Sequence, residues 1–337
     1  MRELSEMKKT ITRTIAKWAV LTAVMLVSVF PMTTAPALAA AEKPDDIVIA
    51  TSSMTNTFYY IGAGQAKILD EAIKGIHYSV EASTGSKENL VFTSTRPDTM
   101  GIVPLDYVYA GYIGNKEMDF PDPMPNLRLV MTGHSTSTHF VVLAGSSINS
   151  FRDLKGKKIG MPPNTSGYFV ALRLLAEYGY GDKDYNVVLI SPAEAGDALK
   201  DGTIDMAVFA GGPPIAAVTD LNMSKRIRLL HLDDQKIADD FFAKYPFYYQ
   251  GAIAAGTYTG IDADISTVNY PIALVCNKNL DDDIVYEITK TLNENTDKLA
   301  EIHVLGREWT TKNTLANFEK PVIPFHDGAA RYYEEKK

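Results

Sequence analysis

The chain has 337 residues, 46% hydrophobic and 22% charged, with a formal net charge of −8. That composition is globular, which excludes disordered, collagenous and coiled-coil chains, and the length points to two lobes rather than one core. A single cysteine, Cys276, excludes a disulfide framework and any cysteine-built metal centre, and the acidic balance argues against nucleic acid as a partner.

The first 39 residues read as a cleaved secretory signal. Lys8, Lys9, Arg13 and Lys17 precede an apolar run from Trp18 to Phe30, broken only by Thr22 and Ser28. Pro31 and small residues follow, ending in Ala37-Leu38-Ala39, the pattern of a signal with its cleavage site. The apolar run would rise about 20 Å as a helix, short of the ~30 Å hydrocarbon core of a membrane. No later segment is long and apolar enough to span, and no cysteine near the cleavage point can carry a lipid. The chain is therefore expected to be soluble in a periplasm. Residues 1–39 hold five basic and two acidic side chains, a net of +3, so the remainder carries −11.

Beyond the signal, strand and helix patterns alternate. Ile47 to Ala50 predicts a strand, Tyr60 to Ile73 a helix, Ile76 to Ala82 a strand, Ser86 onward a short helix, and Thr99 to Val103 a strand. Such βαβαβ order predicts a parallel sheet. Leu127 to Met131 and Phe140 to Ala144 read as two further strands. A second series follows: a helix start at Ser150 to Asp153, a strand at Lys158 to Met161, a helix at Phe169 to Tyr178, and a strand at Val187 to Ile190. Ser191-Pro192-Ala193-Glu194 is a capping box with Pro at the first helical position. Asp205 to Ala210 and Ile227 to Leu232 read as strands. The two series echo each other in architecture, which suggests two α/β lobes with a cleft between them. The expected division is residues 42–144 plus 251–337 for one lobe and 145–250 for the other. Later, Thr267 to Cys276 reads as a strand, Asp281 caps a helix through Ala300, residues 307–320 look helical, and Ala329 to Tyr333 form a docked last turn.

The loops at strand ends carry the chemistry. In open α/β sheets ligands bind beyond the carboxyl ends of strands, where helix N-termini offer free N–H groups and a positive dipole end. These loops are Thr51 to Tyr59, including Ser52, Ser53, Met54, Thr57 and Phe58; Ser83-Thr84-Gly85-Ser86; Asn164-Thr165-Ser166-Gly167-Tyr168; and Gly211-Gly212-Pro213. Each has an ordinary reading as capping and turn chemistry. Four of them, on both series, point to a site for a small organic anion. Asp106 either accepts from a ligand or caps the next helix. Arg173 either reaches the cleft or forms an ion pair elsewhere. Of Tyr245 to Tyr249, most are expected in the core and Tyr248 at the cleft.

Other chemistries lack their motifs. His134 and His139 have no accompanying carboxylate pattern and read as structural rather than metal-binding. Gly133-His134-Ser135-Thr136-Ser137 lacks the second glycine of a nucleophile elbow. The Gly62-Ala63-Gly64 start of a dinucleotide fingerprint lacks its third glycine and lies within a helix, which predicts close helix packing instead. No enzyme activity, cofactor or metal is expected.

Several segments together resemble the TAXI family, the solute-binding subunits of tripartite ATP-independent periplasmic (TRAP) transporters. They are Ile49-Ala50-Thr51 with Thr57-Phe58-Tyr59, Gly85-Ser86-Lys87-Glu88-Asn89-Leu90, Asp153 to Lys158, Ala193 to Asp205, Ala255-Gly256-Thr257-Tyr258, and His326 to Tyr333. The resemblance covers about residues 45–337. It implies an α/β, two-lobe type II periplasmic-binding-protein fold that closes on a ligand in the interlobe cleft and docks on a sodium-coupled membrane permease; a monomer is expected. Family ligands include glutamate-like amino acids and dicarboxylates, held by the loops named above.

Three departures alter that expectation. Ser52 to Asn56 stands where the family has a glycine-rich loop. Pro104-Leu105-Asp106 replaces the usual Gln-Ser-Asp, so that only Asp106 carries over. Tyr168 replaces a usual Thr, and the loop before Ser166 is about one residue longer. One wall of the pocket becomes less polar, and the ligand expected is a small carboxylate with an apolar or aromatic portion. The same fold serving an ABC permease or a sensor kinase is the alternative, and a periplasmic enzyme is a weaker one.

Overall fold

The structure, a computed structural model, describes residues 44–316 and 320–337. The signal expected over residues 1–39 lies outside the described residues. The chain opens as β1 (Asp46–Ala50), α1 (Thr57–Ala72), β2 (His77–Glu81), α2 (Ser86–Thr95), β3 (Thr99–Pro104) and α3 (Leu105–Ile113). A long strand, β4 (Leu127–Leu143), leads to the second series. This comprises β5 (Lys158–Met161), α4 (Ser166–Glu177), β6 (Asn186–Leu189), α5 (Pro192–Lys200), β7 (Met206–Gly211) and α6 (Ala216–Ser224). Then come β8 (Ile227–Leu229), α7 (Gln235–Lys244), β9 (Tyr249–Ile253) and a second long strand, β10 (Ile265–Asn277). The chain closes with α8 (Asp282–Glu294), α9 (Thr296–Ile302), α10 (Thr311–Leu315) and α11 (Asp327–Glu334).

The described strands form one sheet, in the order β2-β1-β3-β10-β4-β7-β5-β6, with β8 added on β4 and β9 on β10. The echo between the two series is real: β1 lies between parallel partners β2 and β3, and β5 between parallel partners β6 and β7. The two half-sheets are joined by β4 and β10, which run antiparallel between Asn269–Ser137 and Asn277–Leu127. Beyond that stretch they part company. Ser137 to Val141 of β4 pairs with β7, while Ile265 to Asn269 of β10 pairs with β9. Pro271 sits inside β10 where it cannot donate to the ladder. The register with β4 shifts just beside it, between Pro271 and Ala273, so the missing N–H falls at an irregularity.

Sequence patterning locates the helices through their caps. Asn56 accepts from the Phe58 N–H at the start of α1, Thr165 from Tyr168 at α4, and Asp281 from Asp283 and Ile284 at α8. The Ser191–Glu194 capping box is present with Pro192 leading α5. Each cap satisfies one or two of the N–H groups that a helix start leaves open, worth about 1 kcal/mol. The close-packing role expected of Gly62 also holds, since a Cβ there would lie 2.4 Å from Thr51 Cγ2. All six positions of β3 are buried, as in a parallel strand covered on both faces.

Four expectations change. The strands expected at 127–131 and 140–144 are one strand, because Thr132, Thr136, Ser137, Thr138 and His139 are buried polar residues inside the sheet rather than a loop. The helix expected through Ala300 breaks at Asn295, whose side chain turns back onto the Thr291 carbonyl. Of residues 307–320, α10 covers only Thr311–Leu315, and 317–319 lie outside the described residues. The strand expected over Ile227 to Leu232 ends at Leu229. α7 and β9 had no sequence expectation.

Candidate functional site

A cavity of about 660 Å³ opens over the middle of the two long strands. Its floor is His134 and Thr136 of β4 and Tyr270 and Ile272 of β10. Its walls come from both half-sheets. Asn56, Thr57 and Phe58 begin α1, Thr84 to Glu88 begin α2, and Pro104 and Tyr107 lie where β3 passes into α3. Opposite them stand Asn164, Thr165 and Ser166 at α4, Pro192 at α5, and Ala210 to Gly212 at the end of β7. The walls are thus built from carboxyl ends of parallel strands and the starts of the helices that follow, where partial positive charge collects. Met118, Pro162 and Leu305 complete an apolar part.

The charged lining groups are one cation and two carboxylates, and no cation is left free. Lys87, the cation among the described lining residues, pairs with Asp119. Glu88 accepts from the Thr84 N–H at 2.7 Å and from its hydroxyl at 2.9 Å. Those bonds hold its carboxyl below the usual carboxylate range. Any attraction for an anion therefore comes from helix starts and neutral donors. At α2 the start is open: its N-cap, Gly85, offers no side chain, and its φ of +128° is a conformation that glycine alone adopts readily.

The expected residues divide. Thr57, Phe58, Thr84, Gly85, Ser86, Thr165, Ser166, Gly211 and Gly212 line the cavity. Ser52, Ser53, Met54, Tyr59, Ser83, Asp106, Gly167, Tyr168, Pro213 and Tyr248 are not among its lining residues. Met54 is exposed to solvent, Gly167 packs its Cα against Ala210, and Pro213 makes a cis peptide bond with Pro214. Tyr168 packs edge-on against Phe169.

Several hydroxyls expected to face an anion are committed elsewhere. Ser83 Oγ lies within hydrogen-bond reach of the Thr51 carbonyl and the Asn89 side chain and accepts from the Gly85 N–H, so it ties its own loop. Thr165 donates to the Pro162 carbonyl. Ser166 donates to Asp106 Oδ1 at 2.8 Å. A hydroxyl has one proton to give, so Ser166 offers the cavity only lone pairs.

Asp106 anchors a buried chain behind the wall. It is fully buried and accepts from Ser166 and, at 3.0 Å, from the Tyr248 hydroxyl. Tyr248 in turn accepts from Arg173 at 2.8 Å. Burial raises the Asp106 pKa, and Ser166, the Arg173 charge and Tyr248 recover only part of that cost. Burial also works against the Arg173 charge, but Tyr248, Asp106 and Glu117 outweigh it and the guanidinium stays ionised. Arg173 is only 4% exposed and stands among the rings of Phe169, Tyr245, Phe247 and Tyr248. The chain Arg173–Tyr248–Asp106–Ser166 therefore links α3 to α4 and to the segment before β9. Asp106 neither caps a helix nor lines the cavity, and Arg173 is an interior residue outside the cavity lining that forms the expected ion pair elsewhere, 3.7 Å from Glu117.

Several lining residues were not singled out from sequence, among them Tyr107, Thr136 and Tyr270, and His134, read as structural, also lies on the cavity floor. The signal was present in Gly133, whose missing Cβ makes room for an indole: a Cβ there would come within 2.1 Å of the Trp309 ring. That pairing of residues 175 positions apart cannot be read from local pattern.

The NMT1-like family matches residues 49–336 of the chain. The chain belongs to this family. Among solved structures the NMT1-like chain is similar to the periplasmic aliphatic sulphonate binding protein SsuA from Escherichia coli, at 15% identity over 87% of this chain and 84% of that one, with a TM-score of 0.51. It is similar to a TctC solute binding protein from Polaromonas at 12% identity, over 88% and 98%, with a TM-score of 0.53. It is also similar to a Xanthomonas citri protein bound to a chloride ion, at 9% identity, over 86% and 99%, with a TM-score of 0.53. At these identities the likeness is one of fold, and the α/β periplasmic-binding-protein fold expected from sequence is the fold observed. Among the described residues no helix is long and apolar enough to cross a membrane, and no cluster of His, Cys, Asp and Glu could hold a metal ion.

Proposed function

We propose that the protein is a non-enzymatic, extracytoplasmic solute-binding protein, of the TAXI type, that captures a small organic carboxylate and delivers it to a TRAP permease. The observation that carries this reading is the convergence of helix starts from both half-sheets on one cavity of about 660 Å³, with no unpaired cation among its described lining residues. An anion there is held by backbone N–H groups and helix dipoles. Phe58, Tyr107, Met118, Ile272 and Leu305 favour a ligand with an apolar or aromatic portion. The lobes would be residues 42–144 plus 251–337 and 145–250, flexing where β4 and β10 pass between the half-sheets. A ligand touching both sides favours the closed state by the difference in its affinity for the two.

The test is thermal unfolding of the purified protein with aromatic and aliphatic monocarboxylates, dicarboxylates, acidic amino acids and alkanesulfonates. A ligand at 100 times its dissociation constant adds about 2.7 kcal/mol to the folded state. A shift confined to carboxylates supports the reading. A shift confined to alkanesulfonates replaces the ligand class while keeping the site. If nothing shifts and denatured protein releases no small molecule by mass spectrometry, the binding-protein reading fails.

A further inference from the structure

We infer that His134 is a ligand-selecting residue, a neutral imidazole held in a single tautomer so that its Nε2–H is offered to an acceptor oxygen of whatever the cavity binds. The inference deepens the binding reading above and rests on it for the identity of the acceptor.

The geometry begins at Trp309. Its indole nitrogen can only donate, and it lies 3.1 Å from His134 Nδ1. Nδ1 must therefore be the acceptor nitrogen of the ring. A neutral imidazole with Nδ1 accepting carries its proton on Nε2. His134 has no hydrogen bond to the described residues besides the one from Trp309, so Nε2–H is left for the cavity that the ring lines. The ring itself is 2% exposed. Nε2 is not among the buried polar atoms that lack a partner, which agrees with its opening onto the cavity.

The surroundings fix this arrangement. Trp309 is fully buried and is admitted beside the strand because residue 133 is glycine. Its carbonyl accepts from Thr296 Oγ1, which pins the turn that carries it. Phe58, at the start of α1, lies against the ring with its centroid 6.1 Å away. Burial, with the charge of His303 as the smaller cause, holds the His134 pKa down to about 3, so the ring stays uncharged at neutral pH. Its contribution is directional. It rewards a carboxylate, sulfonate or carbonyl oxygen over the floor and penalises a ligand with a donor or an alkyl group there.

The experiment has two arms on the purified protein. In the first, ligand-free protein is labelled with ¹⁵N-histidine and its long-range ¹H–¹⁵N spectrum recorded at pH 7. His134, assigned by comparison with the His134→Gln variant, is expected as a single neutral Nε2–H tautomer, and Trp309→Phe is expected to release it into a mixture. An Nδ1–H form or an imidazolium in the native protein overturns the inference whether or not any ligand is known. In the second arm, His134→Phe and His134→Gln are titrated with benzoate, glutarate, L-glutamate and ethanesulfonate. For any of these that the native protein binds, His134→Phe is expected to weaken binding about 10- to 100-fold, with Gln, which keeps a donor on a similar reach, restoring most of it. Equal binding by Phe and native protein, at matched thermal stability, overturns the inference. Binding by none of the four counts against the function proposed above, and the spectrum still decides the tautomer.

Discussion

The Ser166 hydroxyl gives its proton to Asp106 at 2.8 Å, and through that bond the lip of the cavity is fastened to a carboxylate outside it. Ser166 begins α4 in the second series, whereas Asp106 begins α3 in the first. Replacing Asp106 with alanine removes the acceptor for two buried hydroxyls and leaves the buried Arg173 charge with only the exposed Glu117 to balance it. The expected loss is about 3–5 kcal/mol in urea unfolding, while Asp106→Asn, which keeps an acceptor, is expected to lose less.

Acid should weaken the fold through its buried histidines. His139 donates from Nδ1 to the Ser137 carbonyl and accepts at Nε2 from Tyr258, and burial lowers its pKa to about 4. For His134 the value is about 3, and burial also lowers that of His326. In the unfolded chain these rings bind protons below about pH 6.5, and in the folded protein they do not. Their stabilising contribution is therefore complete above pH 6.5 and is lost as pH falls toward 4 and 3, at up to about 1.4 kcal/mol per pH unit for each ring. Asp106 has the opposite slope, because its raised native pKa makes the fold lose stability as pH rises above 3.8. Urea midpoints between pH 7 and 4 should fall, and His139→Gln should flatten that fall.

Gly85→Ala should damage the site more than the fold. A Cβ at Gly85 meets open space, but its φ of +128° strains any other residue. A cost of about 1–3 kcal/mol is expected from strain. Relief by rotation would swing the open start of α2 away from the cavity. Isothermal titration with whichever anion the native protein binds should show a larger loss of affinity than the melting temperature suggests.

Gly133→Ala should act through packing. The added methyl would fall within 2.1 Å of the Trp309 indole, and both strand and ring are buried. Overpacking of this kind costs about 1–3 kcal/mol or more, and the displaced indole should be visible in near-ultraviolet circular dichroism and tryptophan fluorescence.

The sequence carried the alternation of strands and helices well, because period and caps are local properties: Asn56, Thr165, Ser191 and Asp281 mark helix starts that the structure confirms. It misled over residues 132–139, where threonines, serines and histidines looked like a loop. Several of these residues find partners in distant segments: Thr132 with Thr314 and Asn313, His134 with Trp309, and His139 with Tyr258. The cavity loops were legible as helix starts, but the direction of their hydroxyls was not. Thr165 spends its proton within its own turn, on Pro162, whereas Ser166 spends its proton on Asp106, which only the assembled fold brings near.

The two long strands also set an order of events. β3 has β10 as its inner neighbour, and β4 stands between β10 and β7. Nothing before residue 265 can therefore finish the first half of the sheet, however early it is synthesised, and that half must wait for a strand that arrives about 160 residues after β3 ends. Such distant pairing makes folding slow. A chain emerging from its N-terminus cannot complete the first half-sheet until nearly four-fifths of it has emerged.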